Sequence, residues 1–564
     1  MTIISKFREI VKKHHNNIAL ISEIEGSMSY NQLNEYSNYI ANELLSCSDE
    51  GNAVIGVLLN RSFELIATML GVMKAGKSYL PLDPNYPVDR LNWMMFNSKA
   101  SKVICNNITK SILKDNSDLI IIADLNGYSE SDIDLCRGAN LACVLYTSGS
   151  TGMPNGVLMS HEAIMNTLNW AINYYELSTN DVTLQIPSCS FTSSVQDIFT
   201  TLLSGGKLVL LDESKLLNVR YLKMISDKYS VTHFDMVPSL YKEYLRIIRN
   251  TGSLRFVLLA GEPLSINIVQ EHFKKLPNVR LFNEYGMAET CSCSFVKEIN
   301  STDKAVSIGK PIRNIAYKIN EIDQDGIGEL FISGKGLATG YLNNPEYTKE
   351  NFLTINDIRY LKTGDFVKEE ANGELFYVCR KDNQIKVNGK RVNLSEIDFV
   401  LQSDELIIDS ITTSIFYNKM QFIVSFVIAE KDDQYCLNRV KELLPLHYIP
   451  NFVKIVDDFC YLPNKKVDIK NMKEIFMIEL DAANMKSDDK FKRILKVISN
   501  VSKGLLNDPD IDMDLRQQGI DSISFIRLLA DVEEEFNFEF GYDDIDNLNP
   551  VSVKTLFDYI KQLT

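Results

Sequence analysis

The residues best suited to chemistry lie in one glycine- and hydroxyl-rich segment, residues 146–156, which has the sequence YTSGSTGMPNG. Glycine lets backbone N–H groups converge on an anion, and Thr147, Ser148, Ser150 and Thr151 add hydroxyl donors. Such a loop suits phosphate oxygens, so we predict that the protein binds ATP. Because no Lys-Ser or Lys-Thr follows the second glycine, the loop differs from the G-x-x-x-x-G-K-[ST] phosphate loop, and we expect no triphosphatase of that class.

The elements around this segment favour a functional loop. An apolar run at residues 141–145 predicts a buried strand that enters the loop, and residues 157–168 have a helical periodicity that predicts a helix leaving it. A flexible Gly/Ser surface turn is the alternative interpretation. The predicted strand and helix on either side count against that alternative.

Further strands and helices are predicted along most of the chain. From about residue 50 to residue 345, short apolar runs alternate with helical stretches, which is typical of parallel strands joined by crossover helices. The strand candidates are residues 54–59, 102–105, 119–123, 207–211, 255–260 and 329–333. The pattern changes between residues 373 and 382, and two more candidates, 407–416 and 422–428, indicate a small α+β unit. We interpret the polar, acidic residues 477–490 as a linker.

The remaining residues predict a small helical bundle. One face of an amphipathic helix is formed by Phe525, Leu528, Leu529, Val532 and Phe536. Asp521 is expected to cap the N-terminus of this helix, which leaves Ser522 in its first turn.

Size and composition describe a folded protein of three or four domains, since 564 residues allow roughly 150 for each. Ten cysteines without paired CxxC spacing, no apolar run of membrane-spanning length and no signal-like N-terminus predict a cytoplasmic protein without a membrane partner. Cys291 and Cys293 are the nearest approach to a metal pattern. With only six histidines in the chain, we interpret both as pocket or core residues.

The charge is negative and unevenly distributed. A net charge of −15 argues against nucleic acid as a partner, because neutralising phosphates requires basic faces. Residues 507–564 contain 14 acidic and 4 basic residues and so carry −10 of that charge. This asymmetry predicts a separate unit, which is either acidic for solubility or steered toward basic faces of partner enzymes.

Taken together, these segments resemble the adenylate-forming ligases, and most closely a nonribosomal peptide synthetase adenylation domain fused to a peptidyl carrier domain. Besides the glycine-rich loop, the resemblance rests in order on residues 74–84, 283–290, 328–330, 360–365, 380–389, 462–468 and 519–522. It implies a large α/β N-terminal domain with mixed or parallel sheets and crossover helices (residues 1–381) and a small, mobile α+β subdomain (382–480). A linker (481–490) and an all-α four-helix carrier domain (491–564) would follow.

The resemblance implies an ATP-dependent acid–thiol ligase. A carboxylic acid, such as an amino acid or an unusual amino acid, attacks the α-phosphate of ATP to give an acyl-adenylate and pyrophosphate, and the acyl group then passes as a thioester to 4′-phosphopantetheine on Ser522. By the same resemblance, Lys466 stabilises charge at the α-phosphate, Glu289 holds Mg²⁺, and Asp382 is the hinge of the mobile subdomain.

The same resemblance assigns contacts to ATP. Asp365 accepts hydrogen bonds from the ribose hydroxyls, Arg380 adds a ribose contact, and Tyr285 offers its ring to the adenine. The full expected set is Thr147, Ser148, Gly149, Ser150, Thr151, Gly152, Gly261, Glu262, Tyr285, Asp365 and Arg380.

Two positions depart from the family pattern. Asn155 stands in the glycine-rich loop where a lysine is usual, which removes one cation from the phosphate site. Thr192 follows Phe191 where enzymes for α-amino acids usually have an aspartate that pairs with the substrate ammonium. A neutral hydroxyl cannot replace a carboxylate in holding a buried cation.

The substrate pocket carried over from the family contains two acids. Its positions are Phe191, Thr192, Ser193, Gln196, Asp235, Leu258, Ala260, Glu284, Ser292 and Cys293. Our hypothesis is that Asp235, Glu284 or both bind a substrate amine, or another cationic or amide group, away from the usual site. A β-amino, ω-amino or otherwise modified amino acid would fit this arrangement. The alternative is that Glu284 faces a salt bridge or solvent, and that an aryl or hydroxy acid binds through Gln196, Ser193 and Ser292.

The expected partners follow from this chemistry. They are a small carboxylic acid, a phosphopantetheinyl transferase and a downstream enzyme that uses the carrier-bound thioester in nonribosomal peptide or related natural-product biosynthesis. The chain has neither an HHxxxDG nor a G-x-S-x-G motif, so we expect other proteins to use the thioester. An acyl-CoA ligase with an unrelated helical tail and an inactive scaffold of the same fold remain alternatives.

Overall fold

The computed structural model describes the chain except for residues 47–53, 101, 114–119, 124–126, 139, 148–153, 217, 249–251, 381–383, 388–389, 418–419, 461–466, 485–489, 503–505, 507–508, 510–512, 537, 541–550, 554, 557–558 and 561–564. The described residues form two compact units. The first comprises residues 1–147, 154–216 and 222–382, and the second comprises residues 217–221 and 383–564.

The elements up to residue 380 are numbered in chain order. The strands are β1 (Ile18–Ser22), β2 (Gly26–Ser29), β3 (Val54–Leu58), β4 (Ser78–Pro81), β5 (Lys102–Cys105), β6 (Ile120–Ala123), β7 (Leu141–Thr147), β8 (Asn155–Ser160), β9 (Val182–Gln185), β10 (Lys207–Leu210), β11 (His233–Met236), β12 (Phe256–Ala260), β13 (Arg280–Met287), β14 (Ser292–Ile299), β15 (Lys310–Pro311), β16 (Ile315–Asn320), β17 (Ile327–Gly334), β18 (Gly340–Tyr341), β19 (Phe352–Ile355), β20 (Ile358–Glu369) and β21 (Leu375–Arg380). The helices are α1 (Ile3–His14), α2 (Tyr30–Ser46), α3 (Phe63–Lys74), α4 (Val88–Ser98), α5 (His161–Tyr174), α6 (Thr192–Ser204), α7 (Val219–Lys228), α8 (Pro238–Ile247), α9 (Ile266–Lys275) and α10 (Pro345–Asn351).

Three sheets organise the first unit. A nine-stranded sheet has the order β15-β14-β13-β12-β11-β9-β10-β1-β2, and a seven-stranded sheet has the order β18-β8-β7-β4-β3-β5-β6. The central strands of both sheets run parallel, and the strands at one or both ends run antiparallel. Strands such as β3 are buried along their whole length because helices cover both faces, which explains their continuous apolar sequence. The mixed α/β architecture predicted from the sequence is confirmed.

The third sheet is antiparallel throughout and consists of β16-β17-β20-β19, with β21 paired to β20. Residues 329–333 therefore lie in an antiparallel strand, and their interpretation as part of the alternating parallel pattern is wrong. The run of apolar residues at this site is compatible with either sheet type, because β17 is buried on both faces from Gly328 to Ser333.

The element after the glycine-rich loop also differs from the prediction. Residues 157–160 belong to strand β8, which pairs antiparallel with β7 and places Asn155 opposite Thr147. The helix α5 begins only at His161, where the Ser160 hydroxyl accepts a hydrogen bond from the Ala163 amide at 3.2 Å. The helical periodicity of 157–168 was misleading because a short apolar run fits both a strand and a helix.

The second unit contains a small α+β region followed by a helical region. Its elements are β22 (Gln384–Val387), β23 (Lys390–Asn393), α11 (Leu394–Gln402), β24 (Ile407–Tyr417), β25 (Met420–Ala429), α12 (Asp433–Leu443), β26 (Phe452–Ile455), α13 (Ile469–Asn484), α14 (Lys490–Val501) and α15 (Ser522–Phe536). Strands β24 and β25 agree with the two predicted candidates. Helix α13 continues to residue 484, so the first part of the predicted linker is helical.

The helical region at the C-terminus has its own apolar core. In α15, Leu528 and Val532 are fully buried and pack with Ile494 and Ile498 of α14. The predicted apolar face of α15 is confirmed, with Phe536 partly buried at its end. Among the described residues, no helix combines the length and apolar character needed to cross a bilayer.

Candidate active site

One face of the nine-stranded sheet brings together most of the predicted pocket. Strand pairing places Asp235 beside Leu258, and Ala260 beside Glu284. Because side chains two residues apart share a face of a strand, these four residues face the same side of the sheet. Helix α6 contacts strands β11 and β14 of this sheet and carries Thr192, Ser193 and Gln196 in its first two turns.

The carboxylate of Glu284 is held mainly by two side chains, and the predicted pocket residue Cys293 adds a further side-chain interaction. The Tyr175 hydroxyl donates to its Oε1 atom at 2.5 Å, and the Gln196 amide nitrogen donates to Oε1 and Oε2 at 3.1 and 3.0 Å. The Gln196 amide oxygen in turn accepts from the Ser292 hydroxyl at 2.8 Å. The alternative in which Glu284 faces solvent or a salt bridge does not describe this arrangement, since its partners are neutral and the residue is buried.

A further acid, Asp197, lies beside this pocket and was not predicted from the sequence. It follows Gln196 on α6, is buried, and its Oδ2 atom has no hydrogen-bond partner. Burial, followed by the charges of Asp235 and Glu284, raises the pKa of Asp197 well above its ordinary value. The sequence did contain a signal for Asp197, because it is an acid within a helix whose residues from Ser194 to Leu203 are all buried and otherwise uncharged.

The other two carboxyl groups are perturbed in the same direction. Burial raises the pKa of Asp235 well above its ordinary value, and the Glu284 charge adds to this effect. Burial also raises the pKa of Glu284, although the hydrogen bonds from Tyr175 and Gln196 oppose the shift. Like charges this close cannot all ionise cheaply in a dry environment.

A second cluster surrounds Asp365 of β20. The Tyr285 hydroxyl donates to Asp365 Oδ2 at 2.5 Å, and Arg380 Nη1 donates to Oδ1 at 3.0 Å. Asp365 is 3% exposed, and the preceding Gly364 has a positive φ of 74°. The structure therefore joins three residues that lie 80 and 15 positions apart in the chain. Each carboxylate oxygen retains a lone pair that could accept from a ribose hydroxyl.

Glu289 lies in the short 3₁₀ turn Ala288–Thr290 that follows β13. Its Oε1 atom accepts a hydrogen bond from the Tyr341 hydroxyl at 2.9 Å, and the residue is 2% exposed. Backbone strain accumulates directly after it, because Cys291 and Ser292 both have positive φ angles, of 53° and 91°. Strain of this kind in residues other than glycine is common at functional sites.

The remaining predicted ATP contacts are placed in part. Glu262 accepts hydrogen bonds from the Ser239 amide and hydroxyl, each at 2.9 Å, and follows Gly261 at the end of β12. Asn155, which stands where a lysine is usual, accepts from the Asn344 amide at 3.2 Å. Thr147 ends β7, while Ser148, Gly149, Ser150, Thr151 and Gly152 lie outside the described residues.

The residues assigned to the second unit are less fully placed. Lys466 and Asp382 lie outside the described residues. Ser522 is the first residue of α15, and the Asp521 carboxylate accepts from the amides of Ile523 and Ser524 at 3.0 and 2.9 Å. The predicted capping role of Asp521 is confirmed.

Two family models match the chain. Residues 7–342 match AMP-binding enzyme, and residues 492–556 match phosphopantetheine attachment site. The chain is 37% identical over 503 residues to bacitracin synthase 3 of Bacillus licheniformis, which covers 84% of this chain and 8% of that protein. It is 32% identical over 489 residues to gramicidin S synthase 2 of Aneurinibacillus migulanus, which covers 84% of this chain and 11% of that protein. The chain thus spans about a tenth of these curated relatives.

Solved structures share the fold. A holo NRPS protein containing adenylation and PCP domains, bound to a vinylsulfonamide inhibitor, has a TM-score of 0.81 at 19% identity, covering 100% of this chain and 96% of that chain. The o-succinylbenzoate CoA synthetase from Bacillus subtilis has a TM-score of 0.74 at 21% identity, covering 83% of this chain and 98% of that chain.

Proposed function

Because this chain belongs to the AMP-binding enzyme family and also carries a phosphopantetheine attachment site, we propose that it activates a carboxylic acid with ATP and loads the acyl group onto its own carrier domain. The observation that carries this proposal is the buried cluster of Asp365, Tyr285 and Arg380. A carboxylate held in a buried site with oxygen lone pairs to spare suits the two vicinal hydroxyls of a ribose.

We propose that Asp365 binds the ribose, with Arg380 and Tyr285 holding its carboxylate in place. Tyr285 thereby gains a second role. Its hydroxyl donates a hydrogen bond to Asp365, and its ring is still the surface that we assign to the adenine. Glu262 and Gly261 at the end of β12, together with Thr147 and the loop 148–152, complete the proposed ATP site.

Glu289 is the proposed ligand for Mg²⁺. Its carboxylate chemistry fits a hard cation, and Mg²⁺ usually binds through one or two carboxylates together with substrate phosphates. The Tyr341 hydrogen bond orients the carboxylate by holding one of its oxygens. When bound, the metal ion would neutralise phosphate charge.

The first step is adenylate formation. An oxygen of the substrate carboxylate bonds to the α-phosphorus, the bond from that phosphorus to the bridging oxygen breaks, and pyrophosphate leaves with the electron pair. We assign Lys466, on the strength of the resemblance, to stabilise the negative charge that develops there. The backbone amides of the loop 148–152 are assigned to hold the outgoing phosphates.

The second step transfers the acyl group to sulfur. We propose that Ser522 carries 4′-phosphopantetheine, which when bound supplies the thiol that accepts the acyl group as AMP leaves. Position supports this assignment, since Ser522 begins a 15-residue helix that lies within the match to the attachment-site model. Asp382 is the proposed hinge between the two steps.

The proposed setting is nonribosomal peptide or related natural-product biosynthesis in the cytoplasm. The names of the relatives bacitracin synthase 3 and gramicidin S synthase 2 support the biosynthetic role. The availability of ATP supports the cytoplasmic location. The proposed protein partners are a phosphopantetheinyl transferase and a downstream enzyme that takes the acyl group from the carrier.

Two measurements test this function. ATP–pyrophosphate exchange with a panel of acids should detect adenylate formation. Lys466→Ala should abolish this exchange, and Lys465→Ala should leave it largely intact.

The second measurement is the intact mass of the protein after treatment with a phosphopantetheinyl transferase and coenzyme A. This mass should rise by one phosphopantetheine in the wild type and not in Ser522→Ala. A protein that exchanges pyrophosphate but gains no mass and acylates free coenzyme A would be an acyl-CoA ligase. A protein inert in both assays would be a scaffold.

A further inference from the structure

Residues 338–344 run along strand β8. They include the short strand β18, which pairs antiparallel with β8. Two further hydrogen bonds extend this pairing, from the Thr339 amide to the Leu158 carbonyl oxygen at 2.8 Å and from the Leu342 amide to the Gly156 carbonyl oxygen at 2.7 Å. We call residues 338–344 the strap, because its two ends contact different parts of the proposed ATP site.

The first part of the strap is bonded to Glu289, the proposed Mg²⁺ ligand. The Ala338 amide donates to the Glu289 carbonyl oxygen at 2.9 Å, and the Tyr341 hydroxyl donates to the Glu289 side chain at 2.9 Å. Both Tyr341 and Glu289 are buried, so water competes little for this second hydrogen bond. Hydrogen bonds to a charged acceptor are strong in such surroundings. The strap therefore sets the orientation of the Glu289 side chain.

The last part of the strap contacts both sides of the glycine-rich loop. Tyr146 lies near the end of β7, before the loop, and Asn155 begins β8, after it. The Asn344 amide nitrogen donates to Asn155 Oδ1 at 3.2 Å. The Asn343 amide nitrogen donates to the Asn97 carbonyl oxygen at 2.5 Å, and Asn97 Oδ1 accepts from the Tyr146 hydroxyl at 2.7 Å. The strap thus reaches one side of the loop directly and the other side through Asn97.

Arg359 of β20 holds the strap in place. Its Nη1 and Nη2 atoms donate to the carbonyl oxygens of Ala338 and Thr339, each at 2.7 Å. Its guanidinium lies over the Phe352 ring, 4.1 Å from the ring centroid. Because the guanidinium donors form a planar fork, one side chain fixes two successive carbonyl groups. A groove with a volume of about 440 Å³ is lined by five of the strap residues, so packing alone does not hold the strap.

A fixed distance between Glu289 and the loop matters for a metal-bound polyphosphate. Mg²⁺ usually binds one or two carboxylates together with substrate phosphates, so the carboxylate and the phosphate cradle must suit the same ion and ligand. Asn155 gives the loop no cation where a lysine is usual, so the geometry of its amides and hydroxyls carries more of the binding. A displacement of about 1 Å in such a site can cost on the order of a hundredfold in rate.

We infer that the strap positions two parts of the ATP site relative to each other, the Glu289 side chain and the glycine-rich loop. Tyr341 orients Glu289, and Asn344 fixes the loop at Asn155. Arg359 fixes the strap itself. The inference rests on the proposed function, because ATP is the ligand. The three residues are positioning residues, since each acts on ATP through another group.

Variants that remove one hydrogen bond at each end test the inference. Tyr341→Phe removes only the hydroxyl. Asn344→Ser removes the donor to Asn155 but keeps an oxygen that can cap α10, where Asn344 now accepts from the Tyr347 amide at 3.1 Å. Calorimetric titration with ATP and Mg²⁺, without an acid, gives Kd in the absence of turnover. We expect Kd to rise about tenfold in Tyr341→Phe and about threefold in Asn344→Ser, since a bond to a charged group is worth more than a neutral one.

Each variant has a control with the same substitution. Tyr317→Phe removes a hydrogen bond of 2.9 Å to Glu369 at an exposed position. Asn42→Ser removes a hydrogen bond of 3.2 Å to the Ser129 hydroxyl. Both controls should bind ATP as the wild type does. An unchanged Kd in both strap variants, or an equal rise in the controls, would overturn the inference.

Repeating the titration in EDTA separates the two ends of the strap. Tyr341→Phe acts through the metal ion that Glu289 holds, so without Mg²⁺ its Kd for ATP should equal that of the wild type. Asn344→Ser acts through the loop, so its effect should persist. A loss in Tyr341→Phe that is as large in EDTA as in Mg²⁺ would contradict the role of Tyr341.

Pyrophosphate exchange supplies a second comparison. Both strap variants should raise KM for ATP and leave KM for the substrate acid unchanged, whereas a general loosening of the fold would raise both. Equal rises in the two KM values would therefore overturn the inference. A wild-type protein that neither binds ATP nor exchanges pyrophosphate would instead overturn the proposed function.

A double-mutant cycle tests Arg359. Arg359→Gln should raise Kd for ATP with Mg²⁺ about tenfold, and Arg359→Lys, which keeps the charge but loses the fork, replaces it if the first variant does not fold. If Arg359 acts through Tyr341, the double variant should be weaker by less than the product of the two single effects. Arg137→Gln is the control, because its guanidinium also donates to a carbonyl oxygen, that of Cys136 at 2.8 Å. Full additivity would show that Arg359 does not act through the strap.

Discussion

Asp365 is the residue on which the proposed nucleotide site depends most directly. Its two oxygens are shared between Tyr285 and Arg380, so its position is fixed before any ligand arrives. Preorganised acceptors of this kind bind without a reorganisation cost at the moment of binding.

Asp365→Asn should weaken ATP binding. The amide keeps the shape but replaces one acceptor oxygen by a donor, which also confronts Arg380 or Tyr285 with an unsuitable partner. We expect kcat/KM for ATP to fall about tenfold to a hundredfold, the usual loss for a charged hydrogen bond. Pyrophosphate exchange at varied ATP concentration measures this. Asp323→Asn, in an exposed turn, is the control and should leave kcat/KM unchanged.

Asp235 should also set a pH dependence of stability. Because burial raises the pKa of Asp235 above its ordinary value of 3.8, the folded protein binds more protons than the unfolded chain between that value and the raised pKa. Stability is therefore lost as the pH rises through this interval. Asp235→Asn removes the ionisation, so its Tm should exceed that of the wild type by about 2 °C or more at pH 8.

The same difference in Tm should shrink as the pH falls toward 4, because the raised pKa of Asp235 favours its neutral form in the folded wild type as the pH falls. Thermal unfolding at both pH values without substrate measures it. A constant difference between pH 4 and pH 8 would mean that packing, and not charge, causes the effect.

At the scale of elements, the contact between α2 and α3 is unusually close. A Cβ atom at Gly71 of α3 would lie 2.8 Å from Ile40 Cβ and 2.9 Å from the Ser37 carbonyl oxygen. Both atoms belong to α2, so the two helices can approach this closely only with glycine at that position.

Gly71→Ala should lower the Tm even though alanine is the better helix former. The gain in helix propensity is about 1 kcal/mol, whereas overpacking a filled contact costs about 1–3 kcal/mol. Thermal unfolding monitored by circular dichroism measures the outcome. Gly138→Ala is the control, because its added Cβ would meet nothing within 4 Å. A Tm for Gly71→Ala at or above that of the wild type would contradict the close packing.

The sequence predicted elements best where one physical requirement dominates. Strand β5 occupies residues 102–105 as predicted, and β12 begins within one residue of the prediction, because buried parallel strands must be apolar throughout. Strand β8 was missed because a short apolar run is not long enough to show whether its apolar residues follow the period of a strand or that of a helix. Helix α13 was missed at its end because polar residues on an exposed helix carry no apolar stripe.

The pocket was predicted only in part, for a related reason. Strand pairing explains why Asp235 and Glu284 share one face of the sheet, and the family resemblance supplied both positions. No local pattern revealed that Tyr175 and Gln196 hold Glu284, since the residues that meet there are 109 and 88 positions apart. Asp197 was missed because burial of a helical acid depends on the sheet against which the helix packs.

At the scale of the whole molecule, charge is the feature most open to test. The C-terminal residues 507–564 carry −10 of the net charge of −15. Opposite charges speed association at low ionic strength, and salt screens that attraction over about 10 Å at 0.1 M.

Loading of Ser522 by a phosphopantetheinyl transferase should therefore slow as salt increases. We expect kcat/KM for the carrier to fall severalfold between about 20 and 200 mM sodium chloride, since the effect is on association. Intact mass followed over time measures the rate. The KM for coenzyme A, measured with a short peptide acceptor, is the control for salt effects on the transferase itself. A rate independent of salt would show that the acidic tail does not steer this encounter.

The cysteines bear on how loading could be observed. All eight that the structure describes are free thiols, six of them are buried, and burial raises the pKa of Cys136 and Cys143 to about 12. A maleimide added to the folded protein should label such thiols very slowly, because only the thiolate form reacts. Burial also raises the pKa of the half-buried Cys189 to about 12. Replacing Cys47, Cys379 and the half-buried Cys460 by serine would therefore leave the thiol of the phosphopantetheine as the principal nucleophile, and a fluorescent maleimide would report the fraction of carrier that is not acylated.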